Sequence, residues 1–389
     1  MAEKLPQHAP KRRDIKRVAM VQAATAHYRK ALFARLDQAE GVEFTFFTSG
    51  EDLEGVAHLP SESVKRQRLM SLRSNGQLYW QGGAFALSTS NEFDALVFLG
   101  NPNFLSTWIA APLARLTGKP VLFWTHGWRR PESGIKRLVR LAFYRLANRL
   151  LIYSERGREL GIAAGYPADR MTVIYNSLDL DQANAVLDRI ERADSLVPPA
   201  GEFFQDASLP LLICTARLTE LCRFDVLLRA AALMRDRGTP VNILLVGDGP
   251  MRGELEALAE SLGVDVHFTG AVYDEQKLGT WIYQSDVTVS PGKVGLTAIH
   301  SMMYGTPVIT HGNLDAQMPE VETIVEGETG AFFKQDDEQD LARVILEWLG
   351  ASRDRAAIRE SCRAVVRDKW SPENQAALIV GAIRELTET

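Results

Sequence analysis

The sequence predicts an α/β fold of two open parallel-sheet domains facing each other across a cleft. Three observations carry that expectation. Short apolar runs alternate with helical periods, the mark of βαβ units on a parallel sheet. A breaker cluster, Pro198-Pro199-Ala200-Gly201, separates two such series. Charge divides in the same way: residues 1–180 carry +9 and residues 181–389 carry −14, for a total of −5. At about 150 residues per domain, a chain of 389 residues also suggests two.

In the first series, strands are expected at Val18–Gln22, Val42–Phe47, Leu96–Leu99, Val121–Trp124, Leu150–Tyr153 and Val173–Tyr175, with helices over 28–39, 104–116, 134–149 and 156–164. Residues 60–90 are less regular, with a turn at Tyr79–Gly83. The second series places strands at 210–215, 241–246, 265–269, 286–290 and 306–310, and helices at 223–236, 250–262, 294–304 and 337–349. The last 35 residues read as two helices broken at Ser371-Pro372. The expected division is therefore an N-terminal domain 1–180, a linker 181–208 and a C-terminal domain 209–370. A final helix, 371–389, is expected to pack back on the N-terminal domain.

Composition excludes several classes. With 46% hydrophobic and 24% charged residues the chain is close to a globular average. Its three cysteines, Cys214, Cys222 and Cys362, have no metal-ligand spacing and fit a reducing compartment. The first 17 residues are polar and basic, unlike a signal peptide. The most apolar stretch, 95–116, is interrupted by Gly100, Asn101, Pro102, Asn103 and Pro112, so no bilayer span is expected. The basic half calls for an anionic partner. No nucleic-acid motif accompanies it, so nucleic acid is not expected, and a phosphate-bearing substrate or an anionic membrane face fits better. The expected location is cytoplasmic, peripheral on the inner face of the membrane.

Several residues could carry chemistry. Val294-Gly295-Leu296-Thr297 follows a strand and opens a helix, which aims free N–H groups and the helix dipole at one point. This is a phosphate site or a plain tight turn. Gly247-Asp248-Gly249-Pro250 reads more simply as a strand-to-helix turn than as a dinucleotide fingerprint. Arg217 and Arg223 lie near strand carboxyl ends, where a guanidinium could meet a diphosphate. His126-Gly127 follows the strand at Val121 and could donate to a sugar hydroxyl. Asp179-Leu180-Asp181 resembles a metal-binding pair but reads better as a surface pair. In 134–149, Ile135, Leu138, Val139, Ala142 and Leu146 form one helical face and Lys136, Arg137 and Arg140 another. With Arg129 and Arg130 ahead of it, this helix suits a solvated face, an acceptor carrying phosphate, or anionic lipid headgroups.

Together these residues resemble a GT-B glycosyltransferase of the large retaining family 4. The blocks are Ala216-Arg217-Leu218, Val246–Pro250, Phe268-Thr269-Gly270, Ser285-Asp286-Val287, Gly305–Ile309, Pro319-Glu320 and Glu326–Gly330, with Thr125-His126-Gly127 and Val173–Asp179 in the first half. The run Ser290–Ser301 resembles a branch linked to surface-polysaccharide assembly. The resemblance implies two Rossmann-like domains, a nucleotide-sugar donor on the C-terminal one and a saccharide or lipid-linked saccharide acceptor on the N-terminal one. It implies metal-independent transfer with retained configuration and no cofactor. By position, Arg217 would bind the diphosphate, Gly247 and Gly295 to Thr297 would line it, His126 would approach the donor sugar, and Val272 and Tyr273 would line the base.

The chain departs from the family's pattern at three positions of the second half and in one loop of the first. The paired glutamates fall on Gly292 and His300, and a lysine falls on Cys222. His300 is then expected to meet a ribose hydroxyl, Arg223 to supply the charge, and Glu320 or Glu322 to replace a carboxylate. The glycine-rich loop after the first strand is Ala23-Ala24-Thr25-Ala26 here. Two other readings stay open: a nucleotide-sugar 2-epimerase on the same fold, and a non-catalytic relative that binds a nucleotide or glycan.

Overall fold

The computed structural model describes residues 15–24, 26–50, 64–192 and 197–388. Thr25 of the first loop and the polar segment 1–14 lie outside them. The chain forms two compact units: residues up to Ile174 with those from Pro372 onward, and Tyr175–Ser371.

The first unit runs β1 (Lys16–Val21), α1 (Lys30–Asp37), β2 (Val42–Thr48), β3 (Gln67–Leu69), β4 (Leu72–Asn75), β5 (Leu78–Gln81), α2 (Ala84–Thr89), β6 (Ala95–Leu99), α3 (Leu105–Leu116), β7 (Val121–Thr125), α4 (Gly134–Tyr144), β8 (Arg149–Ile152), α5 (Glu155–Ala163) and β9 (Met171–Val173). Seven strands pair in parallel in the order β3-β2-β1-β6-β7-β8-β9, and β4–β5 is a separate antiparallel hairpin. Val18 to Val21 are all fully buried, as are Leu96, Val97 and Phe98. Both faces of the sheet are covered, which is why its strands read as unbroken apolar runs.

The second unit holds α6 (Leu180–Glu191), β10 (Leu211–Thr215), α7 (Phe224–Asp236), β11 (Asn242–Val246), α8 (Arg252–Leu262), β12 (Val266–Gly270), α9 (Glu275–Gln284), β13 (Val287–Ser290), α10 (Leu296–Met303), β14 (Val308–His311), β15 (Gly330–Phe333), α11 (Glu338–Gly350) and α12 (Arg355–Lys369). Its six-stranded parallel sheet runs β12-β11-β10-β13-β14-β15. Then α13 (Pro372–Thr387) returns to the first unit, where Ile379 and Ile383 are buried with Leu32, Phe33 and Leu36 of α1.

Two expectations change. The segment 181–208 is not a linker. In α6, Ala183, Val186 and Leu187 lie on one face and are buried in the second unit, and Phe203 stacks on His267 at 4.2 Å. Asp179, half of the supposed acidic pair, accepts from the Gln182 N–H as the helix cap. The second change is in α4. It packs through Leu141, Phe143 and Tyr144, with Phe143 on Phe123 at 4.7 Å. Its other apolar stripe faces solvent: Ile135 is 80% exposed, Leu138 61% and Val139 44%.

Candidate functional site

In the second unit the strand order reverses at β10, which has β11 on one side and β13 on the other. Ligands of open α/β sheets bind at the carboxyl ends of the strands beside such a reversal. The chain leaving β10 carries Arg217, and the chain leaving β13 carries Pro291 to Thr297 and starts α10. The Thr297 hydroxyl donates to Thr215 O at 2.9 Å, which ties the first turn of α10 to the end of β10, two residues from Arg217. Arg217 is exposed, and its guanidinium bonds to nothing among the described residues. The N–H groups of Leu296 and Thr297, first-turn donors of α10, likewise find no described acceptor. One uncommitted cation and the positive end of a helix thus sit at the place where a phosphate would be held.

Other expected donors are already in use. The Val294 N–H donates to Gln317 Oε1 at 2.8 Å, and the Gln317 amide donates to the Thr310 hydroxyl and His311 O, so Val294 and Gln317 shape the loop. The Gly247 N–H is paired as well, donating to Gly270 O at 2.9 Å. Gly247 is required for another reason: its φ is 151°, and a methyl group there would lie 1.9 Å from Ala216 O. Arg223 does not supply a free charge. Its guanidinium bonds Asp225 at 3.2 Å and also meets Asp336, so two carboxylates surround one cation.

Two of the sequence departures prove to be one contact. Gly292 N donates to Cys222 O at 3.0 Å, and a methyl group on Gly292 would lie 2.0 Å from Leu221 O. The turn Glu220–Cys222 lies where a side chain at 292 would have to go. The third departure, His300, has its own carboxylate: Nε2 lies 2.8 Å from Glu275 Oε1, which also accepts from the Tyr304 hydroxyl. Burial works to raise the Glu275 carboxyl, but the hydrogen bonds and charge of His300 and the bond from Tyr304 outweigh it and hold the group below its usual range. Burial, then Glu275, pushes the Tyr304 hydroxyl well up. Glu320 is buried and accepts from Asn176 Nδ2 at 2.7 Å, so it anchors the start of the second unit. Val272 is half-buried in the core, while Tyr273 is 92% exposed at the exit of β12.

In the first unit His126 is exposed at the exit of β7, its ring 4.9 Å from that of Tyr153. Arg140 positions this turn: it bonds Glu132 through two nitrogens at 2.6 and 2.8 Å and donates to Gly127 O at 3.1 Å. Arg137 donates to Ala164 O. Both are half-buried and at least partly committed to the fold. Arg129, Arg130 and Lys136 are exposed, with Lys136 3.5 Å from Glu132.

Comparison with known proteins matches two family models. One described as Glycosyltransferase Family 4 covers residues 30–182, and one described as Glycosyl transferases group 1 covers 209–351. The chain belongs to the GT-B glycosyltransferases of family 4 type. It is similar to a D-inositol 3-phosphate glycosyltransferase of Thermomonospora curvata, with 31% identity over 55% of this chain and 52% of that one. It is also similar to a GDP-mannose-dependent alpha-(1-6)-phosphatidylinositol monomannoside mannosyltransferase of Mycolicibacterium smegmatis, with 26% identity over 43% and 46%. The chain thus spans about half the length of these curated relatives. Among solved structures, HepE of Anabaena in complex with UDP aligns with a TM-score of 0.70 and 17% identity, over 95% of this chain and 100% of that one. That likeness concerns the fold.

Sequence reasoning about this glycosyltransferase missed Glu275 and Gln317. Glu275 lies in α9, which was not expected as a helix. The available signal was Asp274, whose carboxylate caps the N–H groups of Gln276 and Lys277. Gln317 lay outside every motif.

Proposed function

We propose that the chain transfers a sugar from a nucleotide-sugar to a saccharide acceptor, with the nucleotide on the second unit and the acceptor on the first. The observation that carries this is the pairing of Arg217 with the open first turn of α10 at the strand-order reversal. In the reaction, the bond from sugar C1 to the phosphate oxygen breaks and a bond from C1 to the acceptor oxygen forms. The acceptor hydroxyl proton passes to the departing phosphate. Retention follows if the hydroxyl attacks on the leaving-group side. The protein's task is to stabilise the charge that grows on the diphosphate, and Arg217 with the Leu296 and Thr297 amides would do so without a metal. His126 would hydrogen-bond the transferred sugar, Tyr273 would cover the base, and His300, held by Glu275, would meet a ribose hydroxyl.

The acceptor is proposed to be lipid-linked. The support is the outward apolar stripe of α4 with Arg129, Arg130 and Lys136 around it, a pattern that suits an anionic membrane surface. The relatives named for phosphatidylinositol mannosides fit the same reading. Among the described residues no helix is long and apolar enough to cross a membrane.

A thermal-shift screen over UDP-, GDP-, CMP- and dTDP-sugars tests the donor site, since a ligand that binds only the native state raises its melting temperature. One family of donors should stabilise the protein, and Arg217→Ala should weaken that shift. No shift with any donor overturns the reading. A second reading, binding without transfer, is favoured by the turn at Leu221–Cys222 against Gly292. A nucleotide-dependent shift with no sugar released to water or to any acceptor would select it.

A further inference from the structure

The first sheet also reverses its order beside its first strand, with β2 and β6 on either side of β1. The chain leaving β1 turns through His27–Arg29 and enters α1. There the Arg29 guanidinium lies 4.8 Å from the centre of the Trp124 ring, 5.6 Å from Tyr28 and 6.0 Å from Tyr153. Its Nη2 donates to the Tyr153 hydroxyl at 2.6 Å. Several other inward arginines of this unit meet a carboxylate or a carbonyl: Arg140 meets Glu132, Arg35 meets Glu373, and Arg137 meets Ala164 O. Arg29 meets only tyrosine hydroxyls and ring faces among the described residues. Its Nε is enclosed and donates to nothing among the described residues, and the indole N–H of Trp124 is likewise enclosed without a described acceptor.

A guanidinium carries five donors and keeps its proton at any physiological pH. Ring faces offset part of its lost hydration. They do not replace an anion, and a largely enclosed cation without one is costly. The residue is still partly open to solvent, and His126 stands beside Tyr153 on the neighbouring strand exit.

We infer that Arg29, flanked by Tyr153 and His126, binds an oxyanion carried by an acidic saccharide acceptor. The group is a carboxylate or a phosphate monoester, since the planar fork accepts either through two parallel bonds. The inference rests on the reading that the first unit holds the acceptor. It makes the enzyme selective for acidic over neutral acceptors, and it explains a charge that the fold itself does not need.

The test uses the full chain labelled with 15N-arginine, with the Arg29 Nε resonance assigned by its loss in Arg29→Lys. Sodium glucuronate, inorganic phosphate and glucose are titrated separately. The expected result is a saturable shift of that resonance with one or both anions, at least tenfold tighter than any response to glucose. A response to glucuronate alone assigns a uronic acid, and a response to phosphate alone assigns a phosphorylated acceptor. No shift at Arg29 with either anion overturns the inference. So does a shift equal to that with glucose. In a thermal-shift readout, Arg29→Gln should lose at least tenfold in anion affinity while keeping the stabilisation by nucleotide-sugar. Stabilisation by nucleotide-sugar absent from the wild type would sink the donor reading and leave the Arg29 titration to be judged on its own.

Discussion

Both sheets reverse their strand order beside their first strand, yet the chain leaving β1 and the chain leaving β10 are made of different material. At β10 the corner is built from backbone. Glycines let one loop lie against another, amides meet carbonyls, and one arginine is left uncommitted. At β1 the corner is built from side chains, with Arg29 set among Tyr28, Trp124 and Tyr153. The surfaces differ too. The first unit exposes Leu105, Ile109, Ile135, Leu138 and Val139 on two helices, whereas the second exposes few large apolar groups besides Leu221 and Tyr273. A backbone corner suits a ligand part that is the same in many substrates, such as a diphosphate. A side-chain corner and an apolar surface suit a part that varies between relatives, such as an acceptor.

The contrast can be broken most severely at the backbone corner. Gly247→Ala should cost about 3 kcal/mol or more, because a methyl group there meets Ala216 O head-on and φ is unfavourable. Gly134→Ala, also at positive φ but in open space at the start of α4, should cost only about 1 kcal/mol. Urea unfolding of both variants checks the difference, and equal losses would show that the corner is not close-packed. Next in size, Arg217→Ala should lower the transfer rate by about 10²-fold, the usual effect of removing one charge-stabilising donor. An unchanged rate would remove Arg217 from the site.

On the first unit, Leu138→Glu should weaken binding to vesicles containing anionic lipid by about tenfold, the worth of one buried leucine side chain. Sedimentation with such vesicles reads this directly, and neutral vesicles should bind the wild type less. The smallest effect concerns pH. Burial first, then Arg252, holds His267 below its ordinary value, and burial does the same for His311. The unfolded chain therefore takes up these protons at higher pH than the folded one. Stability from both groups is full above about pH 6.5 and falls as pH drops through their lower folded values. Both lie in the second unit, so His267→Gln should flatten its acid sensitivity without altering the first unit.

The sheets were legible because strands buried on both faces need unbroken apolar runs, and Val18–Val21 or Ile243–Leu245 could hardly be anything else. The packing of α6 into the second unit was hidden by its acidic and basic residues, although Ala183, Val186 and Leu187 keep helical spacing. The helix α9 was hidden by Gly279 and Thr280 in mid-helix, both poor formers; a side chain at 279 would collide with the Tyr304 ring. The stripe on α4 was legible, but its direction was not, since that depends on which neighbours cover the helix. Cys222 and Gly292 stood out individually as departures, while their mutual contact needed three dimensions. The solitude of Arg29 is a fact about what surrounds it, which no single chain of letters contains.

The return of α13 to the first unit has a consequence for synthesis. Its apolar side chains fill a layer against α1 that no earlier segment among the described residues supplies. The ribosome makes all of the second unit before that layer exists. The second unit can therefore finish folding while the first is still waiting, its α1 face uncovered, for the last segment to arrive. Cutting the chain after Ser371 should spare the late-made unit and leave the early-made one open to proteases.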